Sequence, residues 1–213
     1  MSCTEYDPEL YTEEQLDVMD MHIQKYFGKY DNVLHELFSP DIHVDICVVE
    51  PVPGRDYYIL VTTGMGAHPM HIEEMDEQEG WQKPRAELLI TLPSDWDINS
   101  SDDRWYWPVR LLRSLARLPI ENDTWLGYGR TVESAGRFAK NTKLCGCMLS
   151  WPYHFGEEAV ICRLPDGQEV RFYQVLPIYE KEKEYKLENG GEALDDLFPQ
   201  GPRIIDPKRK RLV

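Results

Sequence analysis

No stretch of 18 apolar residues occurs in this chain, and its amino end, Met1-Ser2-Cys3-Thr4-Glu5-Tyr6-Asp7-Pro8, has neither a basic start nor an apolar core. A membrane-spanning helix and a secretory leader are therefore not expected, and the protein is expected to stay in the cytoplasm. Basic residues are scarce: 23 Lys and Arg stand against 38 Asp and Glu, a formal charge of −15. Such a field repels phosphate backbones and anionic lipid, so neither nucleic acid nor membrane is an expected partner. The acidity either keeps the protein soluble or favours a basic partner surface. Cysteine is thinly spread, at 3, 47, 145, 147 and 162. An odd number in strand-like contexts fits reduced thiols rather than a disulfide framework.

Catalytic signatures are missing too. Gly64-Met65-Gly66 lacks the Lys-Ser/Thr of a phosphate loop and the three glycines of a dinucleotide fingerprint. No Gly-x-Ser-x-Gly elbow, His-Glu-x-x-His helix or kinase signature is present. Triads are defined by geometry, so this leaves an enzyme open in principle. The alternative in that class is a metal-dependent hydrolase with Cys and His ligands. Cys145-Gly146-Cys147 with Cys162 and Cys47 is its thiolate set, but knuckles at zinc spacing are absent, and small buried hydrophobes are the simpler reading. His68 and His71 beside an acidic run are a weak acid/base or metal pair, and His43 reads as a surface histidine. No cofactor and no catalytic residue is expected.

What is present reads as a folded protein. Hydrophobic residues make up 42% and charged residues 29%, which rules out wholesale disorder, and a chain of 213 residues buries about 70% of its unfolded surface. Thr12-Glu13-Glu14-Gln15 has the form of a capping box before Leu16, Met19, Ile23 and Phe27, predicting a helix over 13–27 stopped by Gly28. A second short helical piece is expected around Asn32 to Phe38. Ile42, Val44, Ile46 and Val48 alternate as a strand with one wet side, and Tyr57 to Thr63 should return beside it.

Arg85 to Leu92 forms a third strand. Trp105-Tyr106-Trp107-Pro108 introduces a helix that Pro119 closes, with Leu111, Leu115 and Leu118 on one face. Arg110, Arg113 and Arg117 share another face, and carboxylates of the same chain are their expected partners. Leu144 to Trp151, Glu158 to Leu164 and Glu169 to Leu176 complete the strands, the last two as a hairpin about Asp166-Gly167. Tyr179 to Lys186 reads as a charged helix, Ala193 to Phe198 as another turn or two, and the basic tail over 199–213 as a frayed end. The sum is one α+β domain over 1–213, a mixed, mostly antiparallel sheet of about six strands with helices packed on it.

The chain leaves its second strand through Thr62-Thr63-Gly64-Met65-Gly66-Ala67-His68-Pro69-Met70. Two glycines around an exposed Met, then a Pro, suit close approach to another chain. Binding therefore leads, with Met65, His68, Trp125, Tyr128 and Arg130 as contacts and Glu73, Glu74, Asp76, Glu77 and Glu79 as steering charge. The bland readings are a solvated acidic run and a hairpin whose Trp125 sits in the core.

Taken in order, Gly64-Met65 with Pro69-Met70, Glu87-Leu88-Leu89-Ile90-Thr91-Leu92-Pro93, Trp107-Pro108-Val109-Arg110-Leu111-Leu112, Thr124-Trp125, Gly127 to Thr131 and Val175-Leu176-Pro177-Ile178-Tyr179 resemble the Suppressor of fused domain family. The resemblance spans 31–197. It implies a mixed α/β sandwich with no assigned catalytic residues. Animal members carry an additional carboxy-terminal domain and grip a peptide of Gli-type transcription factors as an added strand, while stand-alone bacterial relatives look like immunity proteins. This chain resembles the stand-alone kind, which implies a protein partner such as a basic toxin domain, or else a peptide-binding scaffold. One departure is Gly129-Arg130-Thr131 where relatives often have Gly-His-Thr. A fixed guanidinium replaces an imidazole, so a pH-dependent or metal-binding role there loses its basis.

Overall fold

The computed structural model describes residues 8–73 and 82–213. Helix α1 (Glu13–Tyr26) starts where the capping box predicts: the Gln15 amide donates to Thr12 Oγ1 at 3.2 Å and the Thr12 amide to Gln15 Oε1 at 3.0 Å. Gly28, at φ 126°, follows the Phe27 cap. The strands are β1 (Asn32–Leu34), β2 (Asp45–Val49), β3 (Tyr57–Thr63), β4 (Arg85–Pro93), β5 (Thr131–Glu133), β6 (Gly146–Ser150), β7 (Ile161–Arg163) and β8 (Glu169–Ile178). They form an open sheet in the order β1-β2-β3-β4-β8-β6-β5, with β7 also on β8.

All pairings are antiparallel except β4 with β8, where Arg85 to Leu89 run beside Val170 to Gln174. The sheet thus has the expected α+β, mostly antiparallel character, with eight strands among the described residues rather than six. Asn32–Leu34, expected as helix, and Thr131–Glu133 are the two added edge strands: three residues carry no readable period, and pairing of Asn32 with Val48 and of Thr131 with Met148 decides their conformation.

Both faces of the sheet are covered, which corrects the wet side expected for β2. Ile42, Val44, Ile46 and Val48 pack with Leu60, Leu88, Ile90 and the helix α2 (Asp103–Asn122), whereas Cys47 and Val49 meet Met19, Ile23 and Phe27 beneath α1. Helix α2 begins two residues before Trp105, capped by the Asp102 carboxylate. Pro108 lies inside it rather than in its first turn. A proline there leaves the carbonyl four residues back without its helical donor, and Asn141 Nδ2 donates to that Arg104 oxygen at 3.3 Å. Pro119 likewise sits in the last turn, and Asp123, at φ 47°, ends the helix.

Helices α3 (Glu180–Asn189) and α4 (Gly191–Asp195) bring Leu194 onto Met148, Leu176 and Ile178 at the β6–β8 end, where Phe198 joins them. The carboxy-terminal segment is not frayed. Ile205 donates its amide to Thr91 O at 3.0 Å, Thr142 Oγ1 donates to Pro207 O at 2.7 Å, and Arg209 closes on Glu182. Among the described residues no helix is long and apolar enough to cross a membrane.

Candidate protein-binding surface

The Gly-Met-Gly turn is built around a carboxylate that periodicity alone would place in a run of apolar neighbours. Glu87, in β4, is fully buried. Its Oε1 accepts from the Gly64 amide at 2.9 Å, the Gly66 amide at 3.0 Å and Tyr11 Oη at 3.0 Å, while Oε2 accepts from Thr62 Oγ1 at 2.5 Å. Burial raises its pKa, opposed by these donors. The glycines are there for contact within the chain. Gly64 has φ 119°, and a Cβ on it would stand 1.8 Å from His43 O; one on Gly66 would stand 2.1 Å from Tyr11 Oη. Met65 is accordingly 2% exposed and part of the core, which corrects its expected presentation to a partner: the turn that holds Glu87 folds it inward.

Beyond the turn, the chain runs against the loop that follows α2. The Leu126 amide lies 3.2 Å from the buried Met70 Sδ, and His71 Nδ1 lies 2.9 Å from Asp123 Oδ1. The two loops carrying the sequence-predicted contacts therefore abut. His68, partly buried, faces Glu9 at 3.1 Å, so His68 and His71 address different carboxylates rather than one site. Glu73 is exposed; Glu74, Asp76, Glu77 and Glu79 lie outside the described residues.

The loop over 123–130 is fastened to β6. The Gly129 amide, at φ 73°, donates to Leu149 O at 2.8 Å, and the Leu149 amide to Arg130 O at 2.9 Å. This places the exposed Arg130 guanidinium 4.3 Å over the Trp125 ring. Tyr128 stacks on Trp151 with centroids 5.6 Å apart and planes 6° from parallel, and Trp151 leans on Tyr173 at 4.8 Å. Trp125, Tyr128 and Trp151 are only partly buried, and Tyr153 is 58% exposed.

Helix α4 frames this aromatic face with acid. Gly191 approaches Gly129 so closely that a Cβ on it would stand 3.0 Å from the Gly129 Cα. Burial and the carboxylates of Asp195, Glu192 and Asp196 push the Tyr128 hydroxyl up to about 12, and burial with Asp195 raises Tyr153. Glu192 and Asp196 are exposed; Asp195 is buried, bound to Arg203 at 2.7 Å. Sequence reasoning missed Trp151, Tyr153 and these three acids because they come from distant segments. Glu87 carried a signal of its own, a lone charge inside an otherwise apolar strand.

Among the described residues no group of three or more His, Cys, Asp or Glu gathers as metal ligands. Burial pushes Cys47 and Cys147 up to about 12 and Cys162 up to about 11, so these thiols are protonated at neutral pH. The arginines of α2 find carboxylates of the same chain, as expected, in two of three cases. Arg117 holds Glu36 at 2.6 Å and Asp41 at 3.1 Å, Arg110 pairs with Asp103, and Arg113 instead donates to the Leu34 and His35 carbonyls.

Comparisons with known proteins agree with this architecture. An uncharacterized protein of Ureaplasma parvum is 32% identical over 208 residues, which span 95% of this chain and 98% of that one. The crystal structure of a SUFU homologue from Neisseria gonorrhoeae superposes with a TM-score of 0.67 at 18% identity, covering 94% of this chain and 97% of that one. The Sufu-Fu complex structure gives 0.69 at 13% identity, over 97% and 93% of the two chains. Drosophila Suppressor of Fused gives 0.63 at 13% identity, and the match takes in 97% of this chain but 53% of the fly protein. Residues 40–210 match the Suppressor of fused protein (SUFU) family, to which the chain belongs.

Proposed function

We propose that this chain is a non-enzymatic protein-binding domain of immunity type, which holds a basic toxin domain and neutralises it. The observation that carries the reading is the aromatic face of Trp125, Tyr128, Trp151 and Tyr153 with Glu192 and Asp196 beside it, on a chain of charge −15. Partly exposed aromatics supply buried area on docking, and the acids steer a basic surface onto them. A relative of the same fold was crystallised as the Sufu-Fu complex, which supports a protein as the class of partner. His68, Trp125, Tyr128 and Arg130 are the proposed loop contacts; Glu73, Glu74, Asp76, Glu77 and Glu79 are the proposed steering charge, and the cytoplasm the proposed compartment.

The peptide-scaffold reading rests on a separate observation: β5 is a sheet edge directly after Arg130, open to an added strand. The hydrolase reading has no such support. The decisive experiment coexpresses this chain with basic toxin domains taken from neighbouring genes and scores growth. Protection by the wild type, lost in Trp125→Ala/Tyr128→Ala with thermal stability retained, and an association rate that falls with added salt, is the expected result. Protection undiminished by the double variant refutes the surface, and a short synthetic peptide that competes as well as the whole toxin favours the scaffold.

A further inference from the structure

Away from that surface the same acidic protein gathers its cations. Arg137, Lys140, Lys143, Lys208, Arg209 and Arg211 line one cavity of about 560 Å³, with Asn141, Thr142, Tyr179 and Pro207 completing the wall. Three come from the turn before β6 and three from the carboxy-terminal segment, and the Thr142 hydroxyl bond to Pro207 O locks the halves together. Among the described residues only Arg209 of these six has an ion-pair partner, Glu182. Lys140 is within electrostatic reach of Asp102, a carboxylate already held by Arg104. The nearby Asp206 carboxylate accepts from the Lys208 amide.

Like charges that converge without partners repel one another, and a ligand bearing several negative charges removes that cost. We propose that this cleft binds a compact polyanion, a chain of two or three linked phosphates, free or carried by a nucleotide. Linked phosphates match the arrangement because guanidinium and ammonium groups on opposite walls engage separate phosphoryl oxygens at once. A long nucleic acid is disfavoured, since beyond the cleft it meets the field of a chain whose net charge is −15. The site is independent of the toxin-binding proposal.

The test is calorimetric titration of the full chain with sodium tripolyphosphate at low salt, alongside ATP, adenosine and a single-stranded oligonucleotide. Saturable 1:1 binding of tripolyphosphate is expected, with ATP binding and adenosine silent. Lys140→Gln/Lys143→Gln/Lys208→Gln, three exposed side chains, should weaken it at least about tenfold while the unliganded melting temperature holds. No binding of tripolyphosphate, unchanged affinity in the triple variant, or displacement by equimolar sulfate overturns the proposal. An oligonucleotide that binds more tightly than tripolyphosphate overturns it as well, making the cleft a nucleic-acid surface.

Discussion

Arg209 grips Glu182 with both terminal nitrogens, Nη1 to Oε1 and Nη2 to Oε2 at 2.5 Å each, in a fork-to-fork pair between the carboxy-terminal segment and helix α3. Glu182 is fully buried and also accepts from the Tyr179 and Leu212 amides at 2.9 Å. Arg209 lies 4.9 Å over the Tyr179 ring and 5.3 Å over Phe198. Removing one partner of a buried pair strands the other charge in the interior. Arg209→Met should therefore cost about 3–5 kcal/mol, a fall of roughly 10 °C in melting temperature. Arg209→Met/Glu182→Met should recover part of that loss. Thermal denaturation of the three variants decides it, and an unshifted single variant sinks the claim.

Glu87 gives stability a sign that most carboxylates do not. Burial holds its pKa above the ordinary 4.5, so the folded state keeps the proton to higher pH than the unfolded state does. Its contribution is complete below the unfolded value and is lost as pH rises through the folded one. Glu87→Gln can keep the Tyr11, Gly64 and Gly66 donors on its amide oxygen, with the Thr62 hydroxyl turning to accept. The variant thus removes the titration while preserving the packing. Relative to it, the wild type should lose stability from about pH 4.5 upward, measured by denaturant unfolding at several pH values; a constant gap refutes the assignment. Glu87→Leu leaves buried amides unpaired and should cost about 3 kcal/mol.

The two positive-φ glycines of the paired loops should respond unequally. Gly129→Ala meets nothing closer than 3.8 Å and should cost about 1 kcal/mol for its backbone alone. Gly64→Ala drives a methyl against the His43 carbonyl and should prevent normal folding. Soluble yield and melting temperature compare them directly, and equal penalties would refute the contact argument.

Thiol reactivity checks the buried face. Cys145 is partly exposed with Sγ 3.7 Å from Glu180, whereas Cys47, Cys147 and Cys162 are buried; burial raises all four thiol pKa values, with Glu180 adding to it at Cys145, so access decides their order. Iodoacetamide at pH 8 on native protein should label Cys145 well ahead of those three, by peptide mass mapping. Fast labelling of Cys147 would contradict its placement.

What the sequence made legible was local. Thr12 with Gln15 marked α1, Asp166-Gly167 marked the β7–β8 hairpin, and Trp125, Tyr128 and Arg130 came as a group because one loop carries them. Relationships between distant segments were not readable. Nothing near Arg85 announces its parallel partner Val170, and nothing near Tyr128 announces Asp195. Met65 misled for the same reason: flanking glycines signal close approach, but whether to a partner or to Tyr11 and His43 depends on Glu87, a residue contributed by the next strand. The carboxy-terminal cations looked unanchored because Glu182, which seats Arg209, lies in another element.

Strand β8 is bonded to β4 along one edge and to β7 and then β6 along the other. On a ribosome, β4 is therefore finished long before the segment that must lie against it has been translated. During that interval its open edge and the apolar residues Leu88, Leu89 and Ile90 await a neighbour. Nascent chains arrested before residue 169 should therefore aggregate more readily than the finished chain and lean more on a chaperone.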